Sequence, residues 1–293
     1  MRTLGIGTVL LVPTLLLGGC GDQQGGTATD PASAGDGAEQ LLMTRYAVTV
    51  LDDGDGAELC LGGVATSLPP QCGGPRLVGW DWAEHQGDFE TVRGVRWGSF
   101  GVVGRWDGES FTPTTVTSAA DLSEPDWEPT DFSPPCPEPE AGWVVDPSRT
   151  TYADYERLGG AARRLPGYAD AWIDTSGGEQ SAEELDQSED LASEDVSGWV
   201  WTVRVTEDVA GAEAALRELW GGGLCVVEAE RSDAELGEIQ ERLMELDDVL
   251  GSGRSMGVVQ LDVIHDDGSL QTRLDDEYGA GVVEVTSALV PAP

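Results

Sequence analysis

The chain has 293 residues, enough for one large domain or two small ones, and 40% of them are hydrophobic, so it can bury a core. Its formal net charge is −38, from 54 acidic residues against 16 basic ones, and every basic residue is arginine. Such an acidic surface repels phosphate backbones, which argues against nucleic-acid binding. The lack of lysine excludes Schiff-base chemistry, and two histidines leave little material for a histidine-rich metal site.

The N-terminus has the features of a secretory signal. Met1 and Arg2 form a short positive region, and residues 4–17 are mostly apolar but too few to span a bilayer comfortably. Small residues follow, and the segment ends in Leu17-Gly18-Gly19-Cys20. We therefore predict a signal peptide at residues 1–19.

This ending resembles the bacterial lipobox, in which a small residue precedes a cysteine. The resemblance implies cleavage before Cys20 and lipid on its thiol, with palmitate-type acyl chains that hold the protein on the outer face of the cytoplasmic membrane. More than one acyl chain is needed for stable anchoring. An ordinary secretory peptide is the alternative. Residues 20–43 are rich in Gly, Ala, Thr, Asp and Gln and predict a flexible tether.

The other cysteines form an even set: Cys60, Cys72, Cys136 and Cys225. An even number outside the cell predicts two disulfides, for which three pairings exist. Proximity within one β-rich segment favours Cys60 with Cys72, which leaves Cys136 with Cys225. A metal site is the alternative, but the spacing lacks a CxxC pair and a nearby histidine cluster.

Residues 44–118 predict a small β-rich domain. Alternating Tyr46, Val48 and Val50 indicate a strand, and the Asp-Gly pair at 107–108 indicates a hairpin. Further strands are predicted at residues 57–61, 77–82, 91–97, 100–106 and 110–117. Five or six short strands predict a closed or half-closed barrel, which is similar to an OB-like barrel in strand number alone.

The rest of the chain predicts an acidic, proline-rich linker at 119–141 and a second domain at 142–293. Helices are predicted at 151–164, at 209–219 and after the capping box of Ser232. Strands are predicted at 171–174, 199–205, 224–228, 257–264, 269–274 and 282–289. An acidic loop is expected at 177–197. Together these elements predict a mixed fold, with an α+β domain of one small sheet and helices on one face.

This C-terminal half looks like the pro-region fold of secreted bacterial serine proteases of the alpha-lytic and streptogrisin kind. The similarity lies in residues 168–174 (YADAWID), the strand 203–206 before a helix, Ser232 with Leu236 at the next helix, and a late hairpin. In that family the pro-region is a folding catalyst and tight inhibitor of the protease that follows it. Because no protease sequence follows here, the resemblance implies a fold, with action in trans as one alternative.

Four tryptophans fall in the predicted barrel: Trp80, Trp82, Trp97 and Trp106. An exposed row of them would stack on sugar rings, which makes them candidate ligand-stacking residues. A core role is favoured, because Trp80 and Trp82 are two apart and would share one face of a strand.

No catalytic, metal or cofactor site is predicted. Without a GxSxG elbow, His85 and His265 are interpreted as solvated turn residues. Asp52, Asp53 and Asp55 suggest calcium, but the EF-hand pattern fails because Ala57 stands at its fifth position. With 54 acids in the chain, a pair of carboxylates has no specificity.

These features favour a non-catalytic, membrane-anchored binding or accessory module of the cell envelope, with an envelope protein or glycan as partner. A carboxylate-based cell-wall glycan hydrolase is the first alternative, and would need two carboxylates about 5 to 9 Å apart in a cleft. A protease inhibitor or chaperone acting in trans is the second, and would need a free C-terminal strand and tail.

Overall fold

The computed structural model describes residues 40–123, 130–144, 146–178 and 195–293. Over these ranges the chain forms fourteen β-strands and four α-helices. The predicted signal peptide, Cys20 and most of the predicted tether lie outside the described residues, as does most of the predicted acidic loop. The described part has a mixed fold, as the sequence predicted.

The N-terminal half forms a partly closed, barrel-like sheet. Its strands are β1 (Leu42–Thr44), β2 (Val48–Asp52), β3 (Glu58–Cys60), β4 (Arg76–Leu77), β5 (Glu90–Val92), β6 (Val95–Trp106) and β7 (Ser110–Ser118). Hydrogen-bonded pairs run from β6 through β2, β3, β4 and β7 and return to β6. The two strands predicted at 91–97 and 100–106 are instead β5 and the long β6, which pairs along both of its edges.

The interior of the barrel is filled from alternate positions of β6, as its pleat requires. Phe100 and Val102 point inward and are buried with Phe111 of β7. Gly104 continues this row at a point where the β6–β7 register shifts. A Cβ on Gly104 would lie 2.2 Å from the carbonyl oxygen of Thr112, so the two strands pack too closely for any side chain there.

The C-terminal segment completes this sheet. Strand β14 (Leu289–Pro291) pairs antiparallel with β1, and Leu289 is fully buried in the barrel core. The sequence predicted one final strand at 282–289 and placed all of 142–293 in a second domain. The structure instead ends β13 (Val283–Ser287) in one sheet and starts β14 in another, so the end of the C-terminal half joins the sheet of the N-terminal half.

Between β7 and β14 the chain forms two small α/β units. The first contains α1 (Tyr152–Ala162), β8 (Tyr168–Asp174), β9 (Val200–Val205), α2 (Val209–Arg217) and β10 (Gly223–Glu228). The second contains α3 (Asp233–Leu243), β11 (Val249–Ser255), β12 (Val258–Val263), α4 (Ser269–Tyr278) and β13. Each unit has its own core, so the one small sheet predicted from sequence is two three-stranded sheets.

The two units repeat one structure. In each, the middle strand pairs antiparallel with the strand before it and parallel with the last strand. Each begins with a capping box, Thr151 with Asp154 and Ser232 with Glu235, that opens a helix of 11 residues. The residue before the next strand has a left-handed φ in both, +64° at Gly167 and +63° at Asp248. The order α-β-β-α-β therefore occurs twice.

In the second unit one prediction was wrong and one strand was missed. Residues 269–274 were predicted as a strand but begin α4, because Leu270, Leu274 and Tyr278 follow helical spacing and pack into the core of the second unit. The carboxylate of Asp266 accepts hydrogen bonds from the Leu270 and Gln271 amides and so stabilises the start of this helix. Strand β11 was not predicted, since Gly and Ser interrupt its apolar pattern.

The predicted linker contributes a cover for the first unit. Cys136 forms a disulfide with Cys225 of β10, and Cys60 pairs with Cys72, as proximity in sequence predicted. The indole of Trp172 on β8 donates a hydrogen bond to the carbonyl oxygen of Phe132 at 3.0 Å. Segment 130–144, which has no helix or strand, is thus held against the face of the first sheet opposite α1 and α2.

Candidate functional site

A groove opens where β1 separates from β6. The two strands pair only at Leu42 and Met43, and the next residue, Thr44, uses its hydroxyl to accept a hydrogen bond from the Val102 amide at 3.1 Å. This contact satisfies a buried amide without a strand partner, and it lets the chain turn away from the sheet. The resulting groove measures about 600 Å³.

The far wall of the groove is the short 3-10 helix Ala119–Asp121 and the residues after it. Leu122 lies over the backbone of Gly101, where an added Cβ would stand 2.9 Å from its side chain. Leu122 and Tyr46 are exposed at 38% and 44%. The two side chains therefore form apolar rims on either side of the opening.

The groove is lined mainly by apolar side chains. Its apolar lining is Met43, Ala47, Val102, Val103, Ala119 and Leu122, and its polar lining is four hydroxyl residues and one arginine. The arginine is Arg45, whose Nε donates to the Ser287 carbonyl oxygen at 2.9 Å. No acid, histidine or cysteine is among these lining residues, so the groove offers no general acid–base pair.

The four tryptophans singled out from the sequence are not brought together as an exposed row. Trp82 is buried, while Trp80 and Trp106 are half-buried and pack against the barrel core. Trp82 begins the 3-10 helix Trp82–His85, so the two-residue spacing does not lie on a strand as assumed. Even so, the Trp80 and Trp82 rings meet edge to face at 5.3 Å. Trp97, on β6, is half-buried.

The aspartates considered for calcium have a structural role. Asp52 is buried, and its carboxylate accepts hydrogen bonds from the Gly54 amide, the Trp82 indole and the Arg96 guanidinium at 2.9, 2.9 and 2.7 Å. Burial alone would raise its pKa, but these donors and the charge of Arg96 hold the pKa below its ordinary value. Among the described residues there is no group of three or more side chains that could hold a metal ion.

Both histidines are half-buried, contrary to the prediction of solvated turns. His85 stacks on Trp80, with ring centroids 4.4 Å apart. The Nδ1 of His265 lies 2.9 Å from the Leu289 carbonyl oxygen, and the residue is in the β12–α4 connection, not in a hairpin. The two histidines therefore belong to packing around the barrel.

A second, polar pocket of about 470 Å³ lies beside the stacked Trp80 and His85. Four acidic residues line it: Asp81, Glu84, Asp88 and Asp121. Asp81 accepts a hydrogen bond from the Ala83 amide and caps the 3-10 helix. In a chain with 54 acids such a pocket does not by itself indicate a hydrolase.

Comparison with known proteins gives no relative: no protein-family model matches the chain, and no curated protein matches it significantly. In the part of the chain that the structure describes, none of the helices is long and apolar enough to cross a bilayer. Of the elements quoted for the protease pro-region resemblance, β8, the end of β9 and the start of α3 are present, whereas the late hairpin predicted around the Asp-Asp-Gly turn is β12 followed by the helix α4. That resemblance stays a prediction about the fold.

Proposed function

We propose that the protein is a non-catalytic binding module that is held on the outer face of a bacterial cytoplasmic membrane by lipid on Cys20. The observation that carries the proposal is the groove beside β1. It is mainly apolar, it holds one positive charge, and its lining residues contain no catalytic acid or base. A volume of about 600 Å³ lies within the range of small-molecule sites.

The proposed ligand is a long apolar molecule with one anionic end, such as a fatty acid or a related acyl lipid. The apolar walls would bury the chain, and Arg45 is the single charge among the lining residues that would attract an anion. The net charge of −38 would otherwise repel such a ligand, so one arginine in the groove has a selective effect. An anchored module would lie close to the membrane that supplies these molecules.

The groove is tested by displacing a fluorescent fatty acid with oleate. Filling the groove with Val103→Trp should abolish binding, whereas Thr91→Trp, an exposed position on β5, should leave it unchanged. Arg45→Gln should weaken binding of oleate by about tenfold, the effect of losing a charge-assisted hydrogen bond, but not binding of oleyl alcohol. Full oleate binding by folded Val103→Trp would contradict the proposal.

The anchor is tested separately by growing cells with a clickable palmitate analogue. The wild-type chain should carry the label in the membrane fraction, and Cys20→Ala should carry none. Cys60→Ser with Cys72→Ser is the matched control, because it removes cysteines and should keep the label. Equal labelling of the Cys20→Ala variant would rule out the anchor and leave the groove untouched.

A further inference from the structure

A second, smaller pocket of about 250 Å³ lies beside the bend that joins β1 to β2. Arg45 and Tyr46, in that bend, line both this pocket and the groove beside β1. In the sheet, β1 lies between β6 and β14. The groove is lined by residues 101–103 of β6 and the second pocket by residues 286–288, which lead to β14. The two cavities therefore lie on opposite sides of the bend.

The second pocket is mainly apolar, like the groove. Its apolar side chains come from the barrel, from β11 and from the connection between β13 and β14: Val48, Leu61, Leu250 and Ala288. Arg45 is the only basic residue among the residues that line either cavity. One positive charge thus stands between two apolar cavities.

Arg45 is fixed in this position by two hydrogen bonds to the chain after β13. Its backbone amide donates to the Ala288 carbonyl oxygen at 2.9 Å, and its Nε donates to the Ser287 carbonyl oxygen at 2.9 Å. In the part of the chain that the structure describes, no salt bridge joins Arg45 to a carboxylate. A guanidinium has further N–H donors at its end, and their planar arrangement matches the oxygens of a phosphate.

We propose that the ligand is a phospholipid with two acyl chains, one in the groove beside β1 and one in the second pocket, with its phosphate on Arg45. The inference rests on the proposed function of the groove and extends it to the class of ligand. A fatty acid has one chain and would leave the second pocket empty. In a phospholipid two chains diverge from one phosphate, as the two cavities diverge from one arginine.

The charges around the second pocket limit the headgroup. The exposed carboxylate of Asp262 also lines this pocket, and it would repel a headgroup with several negative charges. A phosphate diester has a single negative charge, which Arg45 can balance. The inference therefore selects diacyl lipids with one phosphate diester.

The experiment isolates the contribution of the second chain. It measures displacement of the fluorescent fatty acid from the full chain by dioctanoylphosphatidylglycerol and by octanoyl-lysophosphatidylglycerol, which has the same headgroup and one chain. Once the headgroup is bound, entry of the second chain is intramolecular, and it buries further apolar surface. The two-chain lipid should therefore bind the wild type at least about tenfold more tightly than the one-chain lipid.

A tryptophan in the second pocket should remove this advantage. In Leu250→Trp the two lipids should bind equally, and oleate should still bind because the groove beside β1 is unchanged. Gln260→Trp is the matched control: it adds the same side chain at an exposed position of the same sheet that lines neither cavity, and the advantage should remain. Ala288→Phe fills the pocket from a different segment and should act like Leu250→Trp.

Two results would overturn the inference. One is equal binding of the two lipids by the wild type, which requires no variant to fold. The other is a preserved two-chain advantage in Leu250→Trp or Ala288→Phe while that variant still binds oleate. Failure of oleate to bind the wild type would instead contradict the proposed function of the groove, so the two failures are distinguishable.

Discussion

The two α/β units have the same topology but differ on the face of the sheet that lies away from their helices. In the first unit Thr202 and Cys225 point to that face and are buried, at 0% and 1% exposure. Gln260 and Glu284 occupy the equivalent positions of the second unit, in the same pairing with each other, and are exposed. The first face is covered at these positions, because segment 130–144 is attached to it by the disulfide and by Trp172.

This difference shows that one strand pattern can serve two environments. The inner faces of both sheets need apolar residues against their helices, and both have them. The outer face is buried only where another segment packs on it. The size and polarity of the residues on that face depend on whether it is covered. The largest effect is expected from removing the cover.

Replacing Cys136 and Cys225 with serine should lower the free energy of unfolding by about 4 kcal/mol, because the disulfide closes a long loop. Urea unfolding measures the loss, and hydrogen exchange should show faster opening of β8 to β10. The control, Cys60→Ser with Cys72→Ser, removes a disulfide that closes a shorter loop, and it should leave exchange in β8 to β10 unchanged. Unchanged exchange in the first variant would mean that segment 130–144 is not what protects this face.

Exchanging the equivalent residues tests the cover directly. Thr202→Gln places a larger amide where there is no exposed surface, and should destabilise the protein by about 2 kcal/mol. The reciprocal change, Gln260→Thr, is on an open face and should stay within about 0.5 kcal/mol of the wild type. Thermal unfolding monitored by circular dichroism measures both. Equal effects would show that the two faces are equally accessible.

The capping boxes provide a smaller contrast. Ser232→Ala removes an exposed cap and should cost about 1 kcal/mol. Thr151→Ala should cost about 2 kcal/mol, because the Thr151 hydroxyl donates to the buried carboxylate of Asp154 at 2.6 Å, whereas the same bond of Ser232 goes to the exposed carboxylate of Glu235. Equilibrium denaturation in urea is precise enough to separate the two. If the serine variant lost as much as the threonine variant, burial of the Asp154 carboxylate would not account for the difference.

Much of the fold could be predicted from residues that lie close together in the sequence. The Ser232 cap, the strand at 199–205 and the Cys60–Cys72 pair depend on residues close in sequence, and each was found. The start of α4 was missed because its N-cap is Gly268, and because Asp266, which accepts hydrogen bonds from the first turn, belongs to an Asp-Asp-Gly run that also favours a hairpin turn. The duplication was missed because the β8–β9 and β11–β12 connections differ in length.

The groove beside β1 has no signal in the sequence. It arises where Thr44 replaces a strand partner of Val102 and where Leu122 crosses Gly101, and both contacts join residues far apart in the chain. Strand β14 was missed for the same reason, since its partner β1 lies at the other end of the described chain. Long-range pairing decides these features, and a local pattern cannot contain it.

The smallest expected effect concerns the pH dependence of the free energy of unfolding. Its sign should differ between two aspartate–arginine pairs, Asp170 with Arg204 and Asp52 with Arg96. In the first unit, Arg204 Nε lies 3.0 Å from Asp170 Oδ1, and burial raises the pKa of Asp170 above its ordinary 3.8 despite the Arg204 charge. The native state then holds a proton that the unfolded chain has released, so this carboxyl makes stability fall as pH rises from 3.8 through the raised pKa. Asp52 has a lowered pKa, and its contribution is present above pH 3.8 and lost as pH falls through its folded value. Urea unfolding across this pH range should therefore change slope in opposite directions in Asp170→Asn and Asp52→Asn. Slope changes of the same sign would show that Asp170 is not desolvated, because a solvated carboxylate beside Arg204 would have a lowered pKa like that of Asp52.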